Sequence, residues 1–579
     1  MSSLASRLLL NTAVGDGVRV LTGTRWLRFE EEMEGFDLDN ALDQKASKKR
    51  SSPSPTVASA DGLPLPPARS SESPASGATT LCEPQIVDWR GPDDPEHPRN
   101  WSLRKKIPVS LIIGFYTFAI YVGGGIVTTG YKSMMAEFGV EQQVVFLSMS
   151  LFIFAYGFGA LLWCPLSEIP QFGRNPWYYG PGLVALGLQL GAALTPTFAG
   201  LAVLRFLVGF LGSSILATGG ASLGDIWGVH YLPLALAPCW VLPAFNAPAL
   251  APIITIFAVE RWDWRWTMWV NFFIMAPSVV LLFFLPETSA DTILYRRAVR
   301  LRRLTGNDML KTRAEIASEA YSPSEILHEA LTIPFKVTLL DPSILFAGLY
   351  IGLCYGVFFS FFESFPLVFG ETYPFTPVQE TYAFLCVSAG TAVGLTCYLS
   401  YQIFYMYPSI ERNGGVPPPQ EKRLDPAVVS SVTAAMALFI FAWTAYSHLH
   451  WFGPVFGGGL FVASNNVTFQ CVFYYIILSY PKYAASILAA NDFIRSTIAA
   501  LLVHASSPLF RSRVGVHGGV SLLGGLATCG IGGIVVLRVY GAKLRARSRF
   551  AVGPEGGEGR EGGEEAVGER GEKRAQREL

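Results

Sequence analysis

The sequence predicts an all-α polytopic membrane protein with 12 transmembrane helices, six on each side of a long central loop. Hydrophobic residues make up 51% of the 579 residues and charged residues only 15%, whereas a soluble domain carries about 25% charged residues. Apolar segments close to the roughly 20 residues that a membrane-spanning helix needs recur along the chain. This composition excludes a multidomain soluble enzyme and a wholly disordered protein.

The candidate spans follow one another at short intervals, apart from a charged stretch at about 286–341. They lie at 107–127, 144–164, 177–195, 200–222, 232–258, 266–285, 342–362, 380–400, 427–447, 451–475, 483–503 and 518–538. The spans at 177–195 and 451–475 are the weakest because they are rich in Gly, Pro and polar residues, which packed membrane helices tolerate. The predicted organisation is a cytosolic arm (1–106), a six-helix bundle (107–285), a cytoplasmic loop (286–341), a second six-helix bundle (342–538) and a cytosolic tail (539–579).

Basic residues concentrate in the loops on one side of the predicted membrane. That side holds Arg104, Lys105, Lys106, Arg296, Arg297, Arg300, Arg302, Arg303, Arg412, Lys422, Arg423, Lys543, Arg545, Arg547 and Arg549. The other side holds Lys132, Arg261, Arg265, Arg511 and Arg513. Because cytoplasmic loops carry the excess of Lys and Arg, both termini are predicted to be cytoplasmic.

Three polar segments lie outside the spans. Residues 46–78 are rich in Ser, Pro and Ala, and the tail from Pro554 is a Gly/Glu/Arg repeat, so both are predicted to be disordered. The basic segment "RRAVRLRRLTGN" (296–307) fits an amphipathic helix on the inner leaflet and equally a solvated cytosolic segment.

Several classes of cofactor and partner are disfavoured. The eight Cys contain no C-x-x-C pair, no Gly is followed by Lys, and 44 basic residues balance 44 acidic ones. We therefore expect no metal, no cofactor and no nucleotide-driven pump, and no nucleic-acid partner.

Charged residues inside spans are costly, at least about 2.5–3.5 kcal/mol each, so they are candidates for function. Arg205 lies in the fourth span and is followed by Gly209, Gly212 and Ser213, which form a small-residue helix face. Either Arg205 is buried against a carboxylate or a carbonyl group, or it extends to the nearby outer interface. Asp225, at the cytoplasmic end of this span, is either functional or a cap of the next segment.

The seventh span contains an acid among aromatic residues, "YGVFFSFFESFPLVF". Apolar surroundings disfavour the charged carboxylate, so Glu363 is a candidate for taking up and releasing a proton. The rings of Phe358, Phe359 and Phe362 are candidates for lining an apolar cargo cavity. The alternative is ordinary packing with an interfacial Glu.

The eleventh span carries "AANDFIRS", which places Asn491, Asp492 and Arg495 within the membrane. Asp492 and Arg495 are three residues apart and share a helix face. A neutralised pair costs less than a lone charge, so the pair fits proton coupling, with Asn491 as a cavity candidate. A purely structural tie between helices is the alternative.

The fifth span contains "PAFNAPALAPIITIF", in which Pro243, Pro248 and Pro252 recur. Each Pro removes a helical hydrogen bond, so the sequence predicts a kinked or locally opened helix. A kink without a functional role is the alternative.

A single G-x-S-x-G motif occurs at 220–224, "GASLG". A nucleophile elbow needs a strand before the Ser and a helix after it, whereas a membrane helix is predicted to precede Ser222. We therefore interpret the motif as a chance match and expect no enzyme.

Taken in order, seven segments resemble fungal major facilitator drug:proton antiporters of the twelve-span type, close to the benomyl/fluconazole/methotrexate-resistance subgroup. They are "VDWRGPDDPEHPRNWSLRKK" (87–106), "CPLSEIPQFGRNPWY" (164–178), "LRFLVGFLGSSILATGGASLGDIW" (204–227), "PETSADTILYRRAVRLRRLTGN" (286–307), "SFFESFP" (360–366), "YPKYAASILAANDFIRS" (480–496) and "YGAKLRARSRF" (540–550). The likeness covers about residues 84–550 and also the start, "LLLNTAVGDGVRVLTGTRWLRFEEE".

The resemblance implies the major facilitator fold, with two six-helix bundles, a central cavity and rocking alternating access. It implies proton influx coupled to export, and it lends a coupling role to Arg205. Cytoplasmic latch residues are implied at Glu168, Gly173, Arg174 and Asp225, and the antiporter motif at Pro248 and Pro252.

The sequence departs from the family pattern at a few positions. The motif G-P-A-L-G-P has Ala at 247 and 251 in place of both glycines, and Val208 replaces a frequent Gln. The added methyl groups of Ala247 and Ala251 would limit close packing of the fifth span.

The leading hypothesis is a monomeric, proton-coupled exporter of amphipathic drugs, toxins or a fungal secondary metabolite at the plasma membrane. Its expected partners are the cargo, protons and the lipid bilayer. A proton-coupled nutrient or polyamine transporter is the alternative, and a membrane-embedded enzyme is a further one.

Overall fold

The computed structural model describes residues 9–22, 27–33, 85–319, 323–480, 483–548 and 550. The segment 46–78, Arg549 and the tail from Pro554, about which predictions were made, lie outside the described residues. Helices dominate, and each of the 12 predicted spans falls on a helix.

The spans are numbered here in chain order. They are span 1 (Leu103–Gly125), span 2 (Leu147–Ser167), span 3 (Asn175–Leu194), span 4 (Phe198–Gly212, continued by Ser214–Leu236 as far as Gly228), span 5 (Tyr231–Arg261), span 6 (Arg265–Leu282), span 7 (Pro342–Phe365), span 8 (Leu385–Tyr401), span 9 (Asp425–Thr444), span 10 (Phe452–Ser479), span 11 (Ala484–Arg511) and span 12 (Gly515–Arg547). Shorter helices are Ala13–Thr22, Tyr131–Phe138, Gln142–Val145, Ala290–Thr305, Arg313–Glu319, Pro323–Leu340, Pro377–Ala383 and Tyr407–Arg412.

Ten helices in the described ranges are long and apolar enough to cross a membrane on these grounds alone. The two remaining predicted spans are spans 3 and 4. Span 3 has Gly, Pro, Tyr and Gln among its 20 residues, which lowers its hydropathy. Span 4 is interrupted at Ser213, so its first helix has only 15 residues.

Spans 4 and 5 are separated by a backbone feature that the sequence reasoning missed. Gly228 adopts φ 66° and ψ 165° within the helix Ser214–Leu236, a conformation that suits a residue without a Cβ atom. The chain turns there, and a π-helical turn at Ala237–Val241 then leads into the helix Leu242–Arg261.

Glycines allow the spans to approach closely within each bundle. A Cβ atom at Gly209 of span 4 would lie 2.6 Å from the carbonyl oxygen of Phe152 in span 2. A Cβ atom at Gly394 of span 8 would lie 2.4 Å from the carbonyl oxygen of Ala463 in span 10. The small-residue face that was predicted at Gly209 is therefore a site of close packing. Between the bundles, span 2 packs against span 11 and span 5 against span 8.

The linker between the bundles is folded against the N-terminal part of the chain. Strand Gln85–Ile86 pairs in parallel with strand Leu310–Lys311. The linker helix Ala290–Thr305 lies beside the lead-in to span 1. The helix Ala13–Thr22 is attached to the end of span 6 by a hydrogen bond from the Val14 N–H to the Phe283 carbonyl, 3.2 Å.

The basic side chains of the linker helix are engaged by acids of the N-terminal segments. Arg297 is 3% exposed and pairs with Asp94 at 2.9 Å, and Arg300 pairs with Glu31 at 2.6 Å. Burial disfavours the Asp94 carboxylate, but its hydrogen bond with Arg297 holds the pKa of Asp94 below its ordinary value. The interpretation of this segment as a solvated basic stretch is therefore wrong, because protein contacts cover several of its arginines.

Candidate functional site

An arginine of span 11 joins the two bundles at the middle of the predicted membrane. The Arg495 guanidinium pairs with Asp492 at 3.0 Å and donates a hydrogen bond to the Tyr121 hydroxyl of span 1 at 2.9 Å. Arg495 is 2% exposed. The predicted pair therefore exists, and it bonds to the opposite bundle as well as within its own helix.

Aromatic rings surround this ion pair. The Arg495 guanidinium carbon lies 4.8 Å from the ring centre of Tyr355 in span 7 and 5.5 Å from that of Phe469 in span 10. The Tyr355 hydroxyl lies 2.6 Å from that of Tyr156 in span 2, which forms a second polar contact between the bundles. Cation–π attraction and the shared hydrogen bonds compensate part of the cost of burying the charge.

A glycine of span 2 allows span 11 to approach. A Cβ atom at Gly157 would lie 2.4 Å from the Cβ of Ser496 and 2.9 Å from the Asp492 carbonyl oxygen. The two spans also meet toward their other ends, where Ser150 lies 2.7 Å from the His504 Nε2 atom. The described conformation is thus closed between spans 2 and 11 at several depths.

Arg205 is buried among backbone carbonyl groups rather than extended to the interface, so the outward-extending alternative is wrong. It donates hydrogen bonds to the carbonyls of Ser148 at 2.8 Å and Gly123 at 2.5 Å. Its guanidinium carbon lies 4.1 Å from the ring centre of Phe152. Gly123 is in the last turn of span 1, where carbonyl groups lack helical donors. Arg205 therefore ties together spans 1, 2 and 4.

Glu363 lies apart from the Asp492–Arg495 pair. It is 6% exposed, and no hydrogen bond or ion pair within the described ranges involves its carboxylate. Tyr355, which contacts Arg495, is eight residues earlier on the same helix, about 12 Å along the axis. The four residues predicted for proton coupling therefore occupy three places, namely Arg205, Glu363 and the Asp492–Arg495 pair.

The candidate cargo residues of span 7 face the other bundle. The Phe358 ring centre lies 6.1 Å from that of Phe245 in span 5. Phe359 lies 3.8 Å from the position that a Cβ atom at Gly124 would occupy, and Phe362 lies 3.0 Å from the equivalent position at Gly125. Phe358, Phe359 and Phe362 therefore line the closed interface between the bundles. Asn491 is also buried, and no described residue pairs with its Nδ2 atom, but that atom lies 3.7 Å from the position of a Cβ atom at Gly348 in span 7, within its own bundle.

Sequence reasoning missed the aromatic residues that complete this interface. They are Tyr121, Tyr156, Tyr355, Trp240, Phe245, Phe469 and Phe473. A tyrosine in the middle of a membrane span has to place its hydroxyl group beside a polar partner. The sequence therefore carried a signal for a polar contact at the three tyrosines, Tyr121, Tyr156 and Tyr355.

The prolines of span 5 lie in a helix that continues through two of them. Pro248 and Pro252 are inside the helix Leu242–Arg261, and Pro243 lies in its first turn. The local widening is at Ala237–Val241, before the motif, and the functional kink at these three prolines stays a prediction.

Proline leaves carbonyl groups without helical donors, and two of these groups meet glycines of span 1. Pro243 and Pro252 have no N–H for the carbonyls of Cys239 and Pro248 four residues earlier. A Cβ atom at Gly114 would lie 2.5 Å from the Cys239 oxygen, and one at Gly125 would lie 2.3 Å from the Pro248 oxygen. The motif thus defines a close contact between spans 1 and 5.

Three of the four residues predicted for a latch, Gly173, Arg174 and Asp225, lie together at the loop between spans 2 and 3. Arg174 pairs with Asp225 at 2.7 Å, so Asp225 binds this loop instead of capping the next segment. Gly173 has φ 75°, and a Cβ atom there would lie 2.5 Å from a carboxylate oxygen of Glu287. Burial opposes the charge of Arg174, but Asp225 and nearby acids keep the pKa of Arg174 above its ordinary value. Glu168 is exposed and makes no ion pair in the described part of the chain.

A glutamate that was not predicted completes this cluster. Glu287 is fully buried after span 6, and its carboxylate accepts backbone N–H groups of Arg174 at 3.3 Å, Asn175 at 3.4 Å and Thr288 at 2.9 Å. The Glu287 N–H donates to the Asn11 carbonyl at 2.9 Å, which connects the cluster to the N-terminal segment. The acid directly after Pro286 at the end of a span was the available signal.

Ser222 belongs to this cluster and not to a nucleophile elbow. It lies within the helix Ser214–Leu236, its hydroxyl is 2.8 Å from the Tyr178 hydroxyl, and it accepts from Thr288 at 3.1 Å. A helix precedes it, as expected, so the strand–turn–helix geometry of an elbow is missing at this position.

Twelve helices in two bundles, with an ion pair and aromatic rings held at mid-depth between the bundles, define a polytopic membrane transporter. The chain belongs to the Major Facilitator Superfamily, whose sequence profile matches residues 113–504. This superfamily consists of multi-pass membrane transporters of small molecules, which are not an enzyme class.

Fungal proteins are among the similar relatives. The MFS-type transporter pyvG of Aspergillus violaceofuscus is 38% identical over 94% of this chain and 99% of its own length. The multidrug transporter FLR1 of Candida glabrata is 38% identical over 82% and 85% of the two chains. Fluconazole resistance protein 1 of Saccharomyces cerevisiae is 37% identical over 83% and 88%.

The fold is also similar to that of a solved transporter. The proton:xylose symporter XylE matches 76% of this chain and 96% of its own with a TM-score of 0.54 and 10% sequence identity. At this identity the likeness concerns the fold alone.

Proposed function

We propose that this transporter exports amphipathic drugs, toxins or a secondary metabolite across the plasma membrane in exchange for protons, with both termini in the cytoplasm. The observation that carries the proposal is the buried Asp492–Arg495 pair, held among aromatic rings at the contact between the bundles. Relatives named for multidrug transport and fluconazole resistance support the direction of transport.

The composition of the interface favours apolar cargo. Rings of Phe245, Phe358 and Phe469 line it, and the charges of Arg495 and Asp492 neutralise each other. A polyamine or another highly charged nutrient would need further unpaired acids at this depth. The proton carriers in the proposal are Asp492, which pairs with Arg495 among these rings, and Glu363, which is buried eight residues beyond Tyr355 in span 7.

Arg205 is proposed as a positioning residue for the coupling step. Its guanidinium holds the end of span 1 against span 2, and span 1 provides Tyr121, the partner of Arg495. A movement of span 1 would therefore change both contacts together.

The test is export in a pump-deficient yeast that carries the full chain. Accumulation of an amphipathic fluorescent drug is measured with and without a protonophore. We expect lower accumulation, abolished by the protonophore, and loss of export in Arg205→Ala. The exposed Arg412→Ala variant is the matched control and should export as the unmodified chain does. Unchanged accumulation with the protein confirmed at the cell surface would contradict the proposal.

A further inference from the structure

Span 10 carries two amide side chains at its centre that bind each other. Asn466 and Gln470 are 0% and 1% exposed, and the Gln470 Nε2 atom donates to the Asn466 Oδ1 atom at 2.7 Å. Asn466 lies halfway along the helix Phe452–Ser479, at the depth where the hydrocarbon core supplies no water. A buried polar atom that has no partner there is therefore costly.

One donor and one acceptor of this amide pair remain unused. The Asn466 Nδ2 atom and the Gln470 Oε1 atom are buried and have no hydrogen-bond partner among the described residues. Exchanging the nitrogen and oxygen of both amides reverses their mutual bond but again leaves one donor and one acceptor. The pair therefore has one free donor and one free acceptor whichever way the groups are oriented.

The face that carries Asn466 is directed at the interface between the bundles. Asn466 precedes Phe469 by three residues and Phe473 by seven, so the three lie on one side of span 10. Phe469 contacts Arg495 and lies 5.9 Å from Phe245. Phe473 lies 5.5 Å from Trp240 of span 5.

The opposite face of span 10 bonds to span 9 within its own bundle. Thr468 lies 2.7 Å from the Ser430 hydroxyl, and Ser464 lies 2.8 Å from that of Thr433, both in span 9. The hydroxyl groups of Thr468 and Ser464 thus have partners within the protein. Asn466 and Gln470 instead lie on the side of span 10 that carries Phe469 and Phe473.

We propose that Asn466 and Gln470 form a recognition subsite for a neutral cargo group that carries an adjacent hydrogen-bond donor and acceptor, such as a primary carboxamide, a lactam or an imide. The aromatic rings bind the apolar body of the same molecule. This inference rests on the proposed export function and adds the class of cargo. A site built to pair such a group rejects analogues that lack it, because the buried atoms are then left unpaired.

Three neutral fluorescent probes test the subsite: 7-methoxycoumarin-3-carboxamide, its N,N-dimethyl derivative and 7-methoxycoumarin. We expect protonophore-sensitive export of the carboxamide to exceed that of the dimethyl derivative by about tenfold, since a single unpaired buried amide costs this much in binding. This comparison uses the unmodified chain and needs no variant.

The double variant Asn466→Leu/Gln470→Leu should reduce the preference to within about twofold. Replacing both partners by apolar groups of similar size is close to neutral for folding. The control is Ser430→Ala/Thr468→Val, which removes a polar pair from the opposite face and should keep the tenfold preference.

The outcomes separate this inference from the proposed function. Export of all three probes without preference, or a preference that survives in the leucine double variant, would refute the subsite while the export function stands. If no probe showed protonophore-sensitive export, the proposed function would fail and the subsite with it.

Discussion

Gly125 and Gly124 are adjacent in span 1 but differ in their surroundings, which gives a matched pair of substitutions. A Cβ atom at Gly125 would lie 2.3 Å from the Pro248 carbonyl oxygen, while one at Gly124 would lie 3.8 Å from the ring of Phe359. The second distance is an ordinary van der Waals contact. The first requires a displacement of roughly 1 Å between two backbones, because neither helix offers a flexible side chain at that point.

We expect Gly125→Ala to destabilise the closed conformation and Gly124→Ala to be tolerated. Overpacking of this kind costs about 1–3 kcal/mol, which corresponds to a change of about 5- to 150-fold in the population of the closed state. Alanine favours a helix over glycine by about 1 kcal/mol, so Gly124→Ala should leave stability equal or slightly higher.

The assay combines two measurements on each variant. The midpoint temperature of thermal unfolding is followed in detergent, and protonophore-sensitive export is measured in cells and normalised to the protein at the surface. Gly125→Ala should lose several-fold in export and unfold at a lower temperature. Equal behaviour of the two variants would show that the contact between Gly125 and Pro248 does not limit the transport cycle.

Three other predictions test separate contacts. The Arg495→Leu variant leaves Asp492 buried without its partner, which costs about 3–5 kcal/mol, so surface expression should fall. The double variant Arg495→Leu/Asp492→Leu should recover expression but not export. Recovery of both expression and export would exclude a transport role for the pair. Because the pKa of Asp94 is lowered in the fold, the stability that this carboxylate contributes is fully present above its ordinary pKa of 3.8 and is lost as the pH falls below that value. The Asp94→Asn variant should therefore unfold at a lower temperature near neutral pH, and its unfolding temperature should fall less between about pH 5 and pH 3 than that of the unmodified chain. Parallel curves of unfolding temperature against pH would refute this. Ser222→Ala should keep export within about twofold, because it removes two neutral hydrogen bonds and one long bond of 3.3 Å from Arg174, which keeps its ion pair with Asp225. Complete loss of export at normal surface levels would require another role for this hydroxyl.

Sequence patterns predicted the elements that depend on local chemistry. Every span falls on a helix because hydrophobic length is a local property. The i, i+3 spacing likewise identified the Asp492–Arg495 pair. The partners of that pair were not predictable in this way, because Tyr121 and Tyr355 come from spans that are distant in sequence.

The Arg205 site shows why burial was harder to infer than position. Its place near the end of span 4 suggested an interfacial arginine equally well. The decisive feature is the last turn of span 1, whose free Gly123 carbonyl lies beside the guanidinium. Only the packing of spans 1, 2 and 4 brings that acceptor within reach.

Glycines of span 1 explain how span 5 packs closely although its antiporter motif carries alanines. Ala247 and Ala251 are both fully buried, so their methyl groups do occupy space that glycine would leave free. The close approach of spans 1 and 5 is nevertheless achieved, because Gly114 and Gly125 on span 1 face the carbonyl groups released by the prolines. A contact between two helices needs a small residue on only one of them. Motif reasoning applied to span 5 alone therefore expected a packing defect that the glycines of span 1 prevent.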